Sequence, residues 1–258
     1  MKIDLSGKTA LVTGSSEGIG LAIAQGLALS GASVIINGRS KDKLEAALTQ
    51  LGGDARGVAV DLADPGGMTR LMEEVPHADI VVSNLGIFEM GDFFEVDDAA
   101  WDRHWQINMM TGVRLARAYL PAMEKNGWGR MIFISSESAF NIPPEMIHYG
   151  VSKTAIVSLA RGLAKRFAGT GVTINSVLPG PTMTEAMANM IGAMRAEEES
   201  LETAAAKVIT AMRPSSIIRR AASVQEVANM VVYVASPLSS ATTGAALRVD
   251  GGIIDTLM

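Results

Sequence analysis

The chain has no cysteine, which removes disulfides, thiol nucleophiles and thiolate metal sites together and leaves the redox compartment open. It also lacks any apolar run of the ~18 residues that a membrane span needs. The opening Met-Lys-Ile-Asp-Leu-Ser-Gly-Lys has neither the apolar core nor the cleavage site of a secretory signal, so a cytoplasmic location is the expectation. No basic block is present, and 22 Lys and Arg against 27 Asp and Glu leave a formal charge of −5. Nothing in that balance recruits nucleic acid or an anionic membrane surface, and a small molecule is the expected partner. The three histidines, His77, His104 and His148, share no metal-ligand spacing, so no metal is expected. No Pro/Ser/Gly-rich linker or charge run divides the 258 residues, which makes a single domain over 1–258 the simplest organisation.

What is present is enough for a full-sized core: 48% hydrophobic against 19% charged residues predicts a chain that is globular throughout. Short apolar runs at 9–12, 33–36, 57–60, 79–82, 131–134, 172–177 and 245–249 read as strands. Longer periodic stretches at 18–29, 41–51, 66–74, 97–125, 149–168 and 224–234 read as helices between them. Strands that are apolar without alternation are buried on both faces, so this order predicts an α/β fold: a doubly wound, Rossmann-like parallel sheet in three layers. Ligands of such sheets bind beyond the carboxyl ends of the strands, and motifs located there carry the most weight.

Three such motifs stand out. Directly after the first strand, Gly14-Ser15-Ser16-Glu17-Gly18-Ile19-Gly20 opens the first helix with Gly-x3-Gly-x-Gly spacing. Glycines allow a tight turn and close backbone approach, and the helix start offers N–H groups to a pyrophosphate. After the second strand come Gly38 and Arg39 where an acidic residue would bond an adenosine ribose and repel a 2′-phosphate. NADP(H) is therefore the preferred cofactor; Glu17 adds negative charge nearby, and NAD(H) stays open. Third, Tyr149 and Lys153 lie four residues apart near a helix start, thirteen residues after Ser136. Positions i and i+4 share a helix face, and a cation beside a phenol favours the phenolate.

Together these motifs, in this order, make the chain resemble the short-chain dehydrogenase/reductase family over nearly its full length. Further matching positions are Asp61-Leu62, Ser83-Asn84-Leu85-Gly86, Asn108 and Pro179-Gly180. The resemblance implies that Tyr149 is the general acid/base, that Lys153 lowers its pKa and holds the nicotinamide ribose, that Ser136 positions the substrate oxygen and that Asn108 supports a proton-relay water. It also implies that Asp61, with Leu62 beside it, contacts the adenine, that Asn84, Leu85 and Gly86 line the adenosine ribose, and that Pro179, Gly180, Thr182 and Thr184 meet the nicotinamide amide. The helices at 97–125 and 149–168 form a dimer face in the family, and a homo-oligomer, a dimer of dimers, is implied.

Two departures matter. Ser83-Asn84-Leu85-Gly86 replaces the family's Asn-Asn-Ala-Gly, which puts side-chain stitching of the fourth strand in question. Glu137 follows Ser136 where small or apolar residues are common in the family; it either selects a polar or cationic substrate group or points to solvent. The segment 183–213 breaks the βα rhythm as a helical substrate lid would. Its Met183, Met187, Met190 and Met194 fall on one helix stripe, which either lines a pocket or packs the lid onto its neighbours. Glu197, Glu198 and Glu199 read as a solvated face, and Phe88, Phe93, Phe94, Phe140, Ile142 and Met146 lie in loops on the ligand side, where several are expected to wall the pocket. His148 is assigned no role. The function expected is oxidoreduction between a secondary alcohol and a ketone, as in a 3-oxoacyl reductase or a small-molecule ketone reductase. The rivals are a non-catalytic dinucleotide-binding sensor or scaffold, and a non-redox lyase or epimerase.

Overall fold

The computed structural model describes residues 2–64, 66–196 and 198–257. Strands β1 (Thr9–Val12), β2 (Ser33–Gly38), β3 (Arg56–Ala59), β4 (Ile80–Ser83), β5 (Gly129–Ile134) and β6 (Val172–Pro179) alternate with helices. Two short strands follow, β7 (Thr182–Met183) and β8 (Ala222–Ser223), and then β9 (Ala246–Val249). The large sheet has the order β3-β2-β1-β4-β5-β6-β9, with every neighbouring pair parallel. Strand ends differ from the sequence expectation by one or two residues.

Successive strand residues point to opposite faces, and here both faces are apolar. Ala10 and Val12 of β1, Val34 and Ile36 of β2, and Ile80 and Val82 of β4 enter one core, with helices α1 (Gly18–Leu29), α2 (Lys41–Leu51) and, from the far end of the chain, Val224–Ala235. Leu11, Ile35 and Val81 enter the other, with α3 (Gly67–Glu74) and with the helices at Thr111–Lys125 and Ile147–Arg166. Each fully buried Leu, Ile or Val contributes about 1.5–3 kcal/mol, which is why the runs carry no polar alternation. The chain winds outward from β1 to β3, then crosses to β4 and winds the other way. The crevice between the carboxyl ends of β1 and β4 is therefore the switch point where such sheets take ligands.

The helix expected over 97–125 is three segments. Asp98–His104 (α4) and Thr111–Lys125 (α5) flank a π-helical turn at Trp105–Met110. A wide turn of this kind is uncommon and concentrates at functional sites; Asn108 sits in it. Helix α6 (Ile147–Arg166) begins after Pro143 and Pro144 and ends with Lys165 and Arg166 near its carbonyl end, where cations suit the dipole.

Past β6, the segment expected to form a lid holds two helices, α7 (Glu185–Met194) and α8 (Leu201–Met212), and is followed by α9 (Val224–Ala235). Thr182 pairs with Ala222 and Met183 with Ser223, so β7 and β8 tie the two feet of the lid together. Its small core is Ile191, Ala204 and Ala205, packed by Met183, Met187 and Leu201. Among the described residues no helix is long and apolar enough to cross a membrane.

Candidate active site

The glycine loop is shaped by backbone contacts that exclude side chains. Gly14 and Gly18 have φ of +60°, a region glycine enters without the Cβ penalty. A Cβ on Gly20 would lie 2.4 Å from the Gly14 carbonyl oxygen and 2.6 Å from Asn84 Nδ2. Asn84 Nδ2 donates to the carbonyls of Thr13 (3.1 Å) and Gly14 (2.8 Å), and Thr13 Oγ1 accepts from the Asn84 and Leu85 amides. The fourth strand is thus stitched to the loop through Asn84 and Thr13, and Ser83 in the first place of that motif does not prevent it. Ser15 is spent inside the protein: its hydroxyl donates to the Val12 carbonyl at 2.6 Å and accepts the Asn37 amide at 3.0 Å.

Side-chain caps hold the starts of α2 (Ser40), α4 (Asp97), α7 (Thr184), α8 (Ser200) and α9 (Ser223). Helix α1, like α3 and α6, has no side-chain cap and no acidic residue in its first turn. An uncapped helix start behind a cradle that Cβ atoms would fill fits a pyrophosphate. Beside it, Ser16 lies over Gly38, whose added Cβ would be 3.2 Å from Ser16 Oγ, and Arg39 is exposed. Glu17 is engaged by Lys43 Nζ at 2.8 Å. Asp61 Oδ1 accepts the Ala63 amide at 2.9 Å, while the Leu62 side chain is core. Thr184 reaches the loop, with its Cγ2 3.5 Å from a Cβ built on Gly18, but its hydroxyl caps α7 by accepting the Met187 amide. Thr182 is buried and donates to the Gly180 carbonyl, and Gly180 admits no Cβ because Asp250 Cα would be 2.9 Å away. Pro179 ends β6, and Ile19 is half-buried in the first turn of α1.

Tyr149, Lys153, Ser136 and Asn108 converge at the ends of β4 and β5. Lys153 Nζ donates to the Ile134 carbonyl at 3.0 Å and lies 5.6 Å from the Tyr149 ring centre. It also lies 3.1 Å from where a Gly86 Cβ would be, so Gly86 keeps that space open. Asn108 Oδ1 accepts the Ile87 amide at 2.8 Å, and its Nδ2 donates to the Ile87 carbonyl and to Ser152 Oγ, each at 3.0 Å. Ser152 Oγ in turn donates to the Tyr149 carbonyl at 2.6 Å. The π-helical turn thereby holds the loop after β4 against the turn of α6 that bears the tyrosine. Behind it, His148 is buried edge-on to His104 with ring centres 4.3 Å apart.

The electrostatics depart from the sequence expectation. Burial pushes the Tyr149 phenol up to about 12; the adjacent Ser136 hydroxyl pulls it down, Glu137 raises it and Arg213 lowers it. Burial also drives the Lys153 amine down to about 8. Among the protein's own groups desolvation outweighs the cation, and Lys153 does not bring the phenol below its ordinary value.

The reading of Glu137 as pointing to solvent needs correction. Its carboxylate is 3% exposed and binds within the protein: Oε2 accepts Ser136 Oγ at 2.5 Å and the Ser138 amide at 2.7 Å, and Oε1 accepts Arg213 Nε at 2.7 Å. Arg213, which closes the lid, was not singled out from the sequence; it lies 76 residues away, and no local pattern links the two. Of the methionine stripe, Met183 and Met187 pack inside the lid, whereas Met190 and Met194 are exposed. Phe88 stands edge-on to Tyr149 with ring centres 6.3 Å apart, and so borders the cleft; Phe93, Phe94, Phe140 and Ile142 are exposed and Met146 is buried. Glu198 is exposed and Glu199 pairs with Lys207; Glu197 lies outside the described residues.

Comparison with known proteins agrees with this architecture. The family model described as enoyl-(acyl carrier protein) reductase matches residues 14–254. The oxidoreductase YvaG of Bacillus subtilis is 45% identical over 260 residues, 98% of each chain. The 3-oxoacyl-[acyl-carrier-protein] reductase FabG of Escherichia coli is 31% identical over 255 residues, 97% of this chain and 99% of that one. The crystal structure of L-sorbose reductase from Gluconobacter frateurii, complexed with NADPH and L-sorbose, covers 100% of both chains at 32% identity and a TM-score of 0.92. On sequence, sheet order and full-length coverage, the chain belongs to the short-chain dehydrogenase/reductase family of oxidoreductases.

Proposed function

We propose that this protein is an NADP(H)-preferring reductase that interconverts a ketone and a secondary alcohol. The observation that carries the reading is the meeting of Tyr149, Lys153, Ser136 and Asn108 beside an uncapped glycine cradle, at the switch point of the sheet. Gly14 to Gly20 would hold the pyrophosphate, Gly38 and Arg39 the adenosine 2′-phosphate, Asp61 and the main chain of Leu62 the adenine, and Asn84, Leu85 and Gly86 the adenosine ribose. Lys153 would hold the nicotinamide ribose, and Pro179 to Thr184 the amide. A nicotinamide dinucleotide bound there supplies or removes the hydride at the substrate carbon.

The residues supply the rest. A phenol held near 12 stays protonated at neutral pH, and the oxygen of a reducing ketone becomes a stronger base than phenolate, so Tyr149 Oη gives its proton to that oxygen. Ser136 Oγ, adjacent to the phenol, makes the second contact to the same oxygen. Lys153 carries charge or loses it near pH 8, which suits relay of a replacement proton through a water that Asn108 supports. In the alcohol direction each transfer reverses. The NADPH and L-sorbose of the sorbose reductase structure, and the 3-oxoacyl reductase relatives, support this class of cofactor and substrate. Exposed Trp105 and Val151, on the π-helical turn and α6, support a dimer face, and we place the enzyme in the cytoplasm as a dimer of dimers.

The test is a ketone panel of sugars, 3-oxoacyl thioesters and small ketones, assayed with NADPH and NADH side by side. Tyr149→Phe should cut turnover by about a thousandfold, within the range of lost general acid catalysis, while NADPH binding persists. NADPH binding without turnover of any ketone by the wild-type protein would replace this reading with a non-catalytic dinucleotide-binding role.

A further inference from the structure

The Glu137–Arg213 ion pair enters no step above, although it touches the reacting serine. Both residues are buried, at 3% and 7% exposure. Two charges removed from water regain little through attraction alone, and apolar replacements of such pairs are often neutral or stabilising. Stability therefore gives a weak reason for a pair at this position, whereas the geometry around Ser136 gives a direct one.

Ser136 Oγ is held from two sides: it donates to Glu137 Oε2 at 2.5 Å and accepts the Ser138 amide at 3.1 Å. The same Glu137 oxygen accepts the Ser138 amide at 2.7 Å and Ser138 Oγ at 3.1 Å, so three donors fix the carboxylate. A serine hydroxyl otherwise samples three staggered rotamers, and its hydrogen turns to whatever accepts it. The Glu137 carboxylate and the Ser138 amide thus fix where Oγ sits, and its hydrogen, resting on Glu137, can turn to a ketone oxygen that enters beside the Tyr149 phenol. The other end of the carboxylate is fastened to the lid. Arg213 follows directly on α8, its Nε donates to Glu137 Oε1 at 2.7 Å and its Nη1 donates to the Met212 carbonyl at 2.9 Å.

We propose that Glu137 is a positioning residue for Ser136 and that Arg213 anchors it to the foot of the lid, so that the serine is oriented by the same contact that seats the lid. This rests on the ketone-reductase reading for its kinetic arm. Ser136 and Tyr149 touch the substrate; Glu137 and Arg213 act through Ser136. A displacement of about 1 Å at a reacting group can cost on the order of 100-fold in rate, so losing the carboxylate's hold should be seen in turnover.

Glu137→Ala alone strands a buried guanidinium and endangers the fold for that reason, so the informative pair is Glu137→Gln/Arg213→Met against Glu137→Ala/Arg213→Met. Both remove the two charges; only the first keeps an oxygen that accepts from Ser136 and Ser138. With a ketone that the wild type reduces, the alanine form should show kcat about tenfold lower than the glutamine form, at similar KM and NADPH affinity. In a Ser136→Ala background that difference should vanish, because residues acting as a unit are non-additive. Equal kcat in the serine background, or the same ratio in both backgrounds, overturns the proposal. If the wild type turned over no ketone, the functional reading would fail separately. The two variants would then be compared by hydrogen exchange at the Ser138 amide: faster exchange in the alanine form upholds the positioning role, and equal exchange overturns it.

Discussion

Around the glycine loop the site is shaped by the main chain and the few side chains bound to it: the Asn84 side-chain amide bridges two carbonyls and Gly20 leaves no room for a methyl group. Beneath the lid it is shaped by side chains from distant parts of the chain, with Glu137 and Arg213 meeting across 76 residues. The first arrangement tolerates little change at its glycines or at Thr13, Ser15 and Asn84, whose side chains bind its main chain, while the neighbouring Ser83 and Leu85 are free to depart from the family pattern. The second depends on particular side chains and can be altered without disturbing the sheet. A nucleotide common to many enzymes suits the former, and a substrate that differs between relatives suits the latter.

Lys153 stands where the two regions meet, with its amine on the Ile134 carbonyl and against Gly86. It gives the largest predicted effect. Burial lowers its pKa from 10.5 to about 8, so between those values the unfolded chain keeps a proton that the folded chain has released. Stability then rises with pH across that window, and below pH 8 the full cost of a buried ammonium is borne. Relative to Lys153→Met, the wild type should gain up to about 3 kcal/mol between pH 8 and 10.5. Tyr149, with its folded pKa near 12, acts oppositely above pH 10, where stability falls as pH rises. Denaturant melts of both proteins across the range measure the difference, and parallel curves would mean that the amine is solvated.

A matched pair of glycine substitutions sharpens the contrast next. In Gly20→Ala the new methyl meets the Gly14 carbonyl at 2.4 Å and Ser15 Cα at 2.8 Å, both backbone, so the loop must shift at a cost of about 1–3 kcal/mol and nucleotide affinity should fall with it. Gly192, within α7 of the lid, has nothing within 4 Å of an added Cβ. Gly192→Ala should therefore leave nucleotide affinity intact and stabilise by up to about 1 kcal/mol through helix propensity. Calorimetric NADPH titration and thermal melts of both variants give the comparison; equal effects at the two sites would erase it.

The same division explains what the sequence disclosed. The glycine loop was legible because backbone demands appear as glycines at fixed offsets, and Tyr149 with Lys153 because a helix brings positions four apart together. The π-helical turn at Trp105–Met110 was hidden, since widening one turn leaves the apolar pattern of the flanking helices almost unchanged. Arg213 was hidden because a lone arginine after a helix carries no sign of the carboxylate it meets. The effect of burial on Tyr149 and Lys153 was hidden as well, because spacing reveals proximity, whereas desolvation depends on everything packed around the pair.

The shift in cofactor choice is the smaller predicted effect on nucleotide binding, and it falls where control by the loop gives way to a single side chain. Gly38 keeps the space beside Ser16 open, and exposed Arg39 offers the cation for a 2′-phosphate. Glu17, the residue that argued for NAD(H), is paired with Lys43 at 2.8 Å, so its charge is already matched. A guanidinium–phosphate contact at an exposed site should be worth roughly 1.4 kcal/mol, or tenfold in affinity. Arg39→Ala should thus reduce the ratio of NADPH to NADH affinity by about tenfold, almost all of it through weaker NADPH binding, and the loss should shrink as salt screens the contact. Glu17→Gln should move the ratio less, because it frees Lys43 while removing a charge that Lys43 already offsets. Titrations of both variants with each nucleotide at low and high salt decide the matter: an unchanged ratio in Arg39→Ala would place selection in the backbone of the loop, and the side-chain account of cofactor preference would fail.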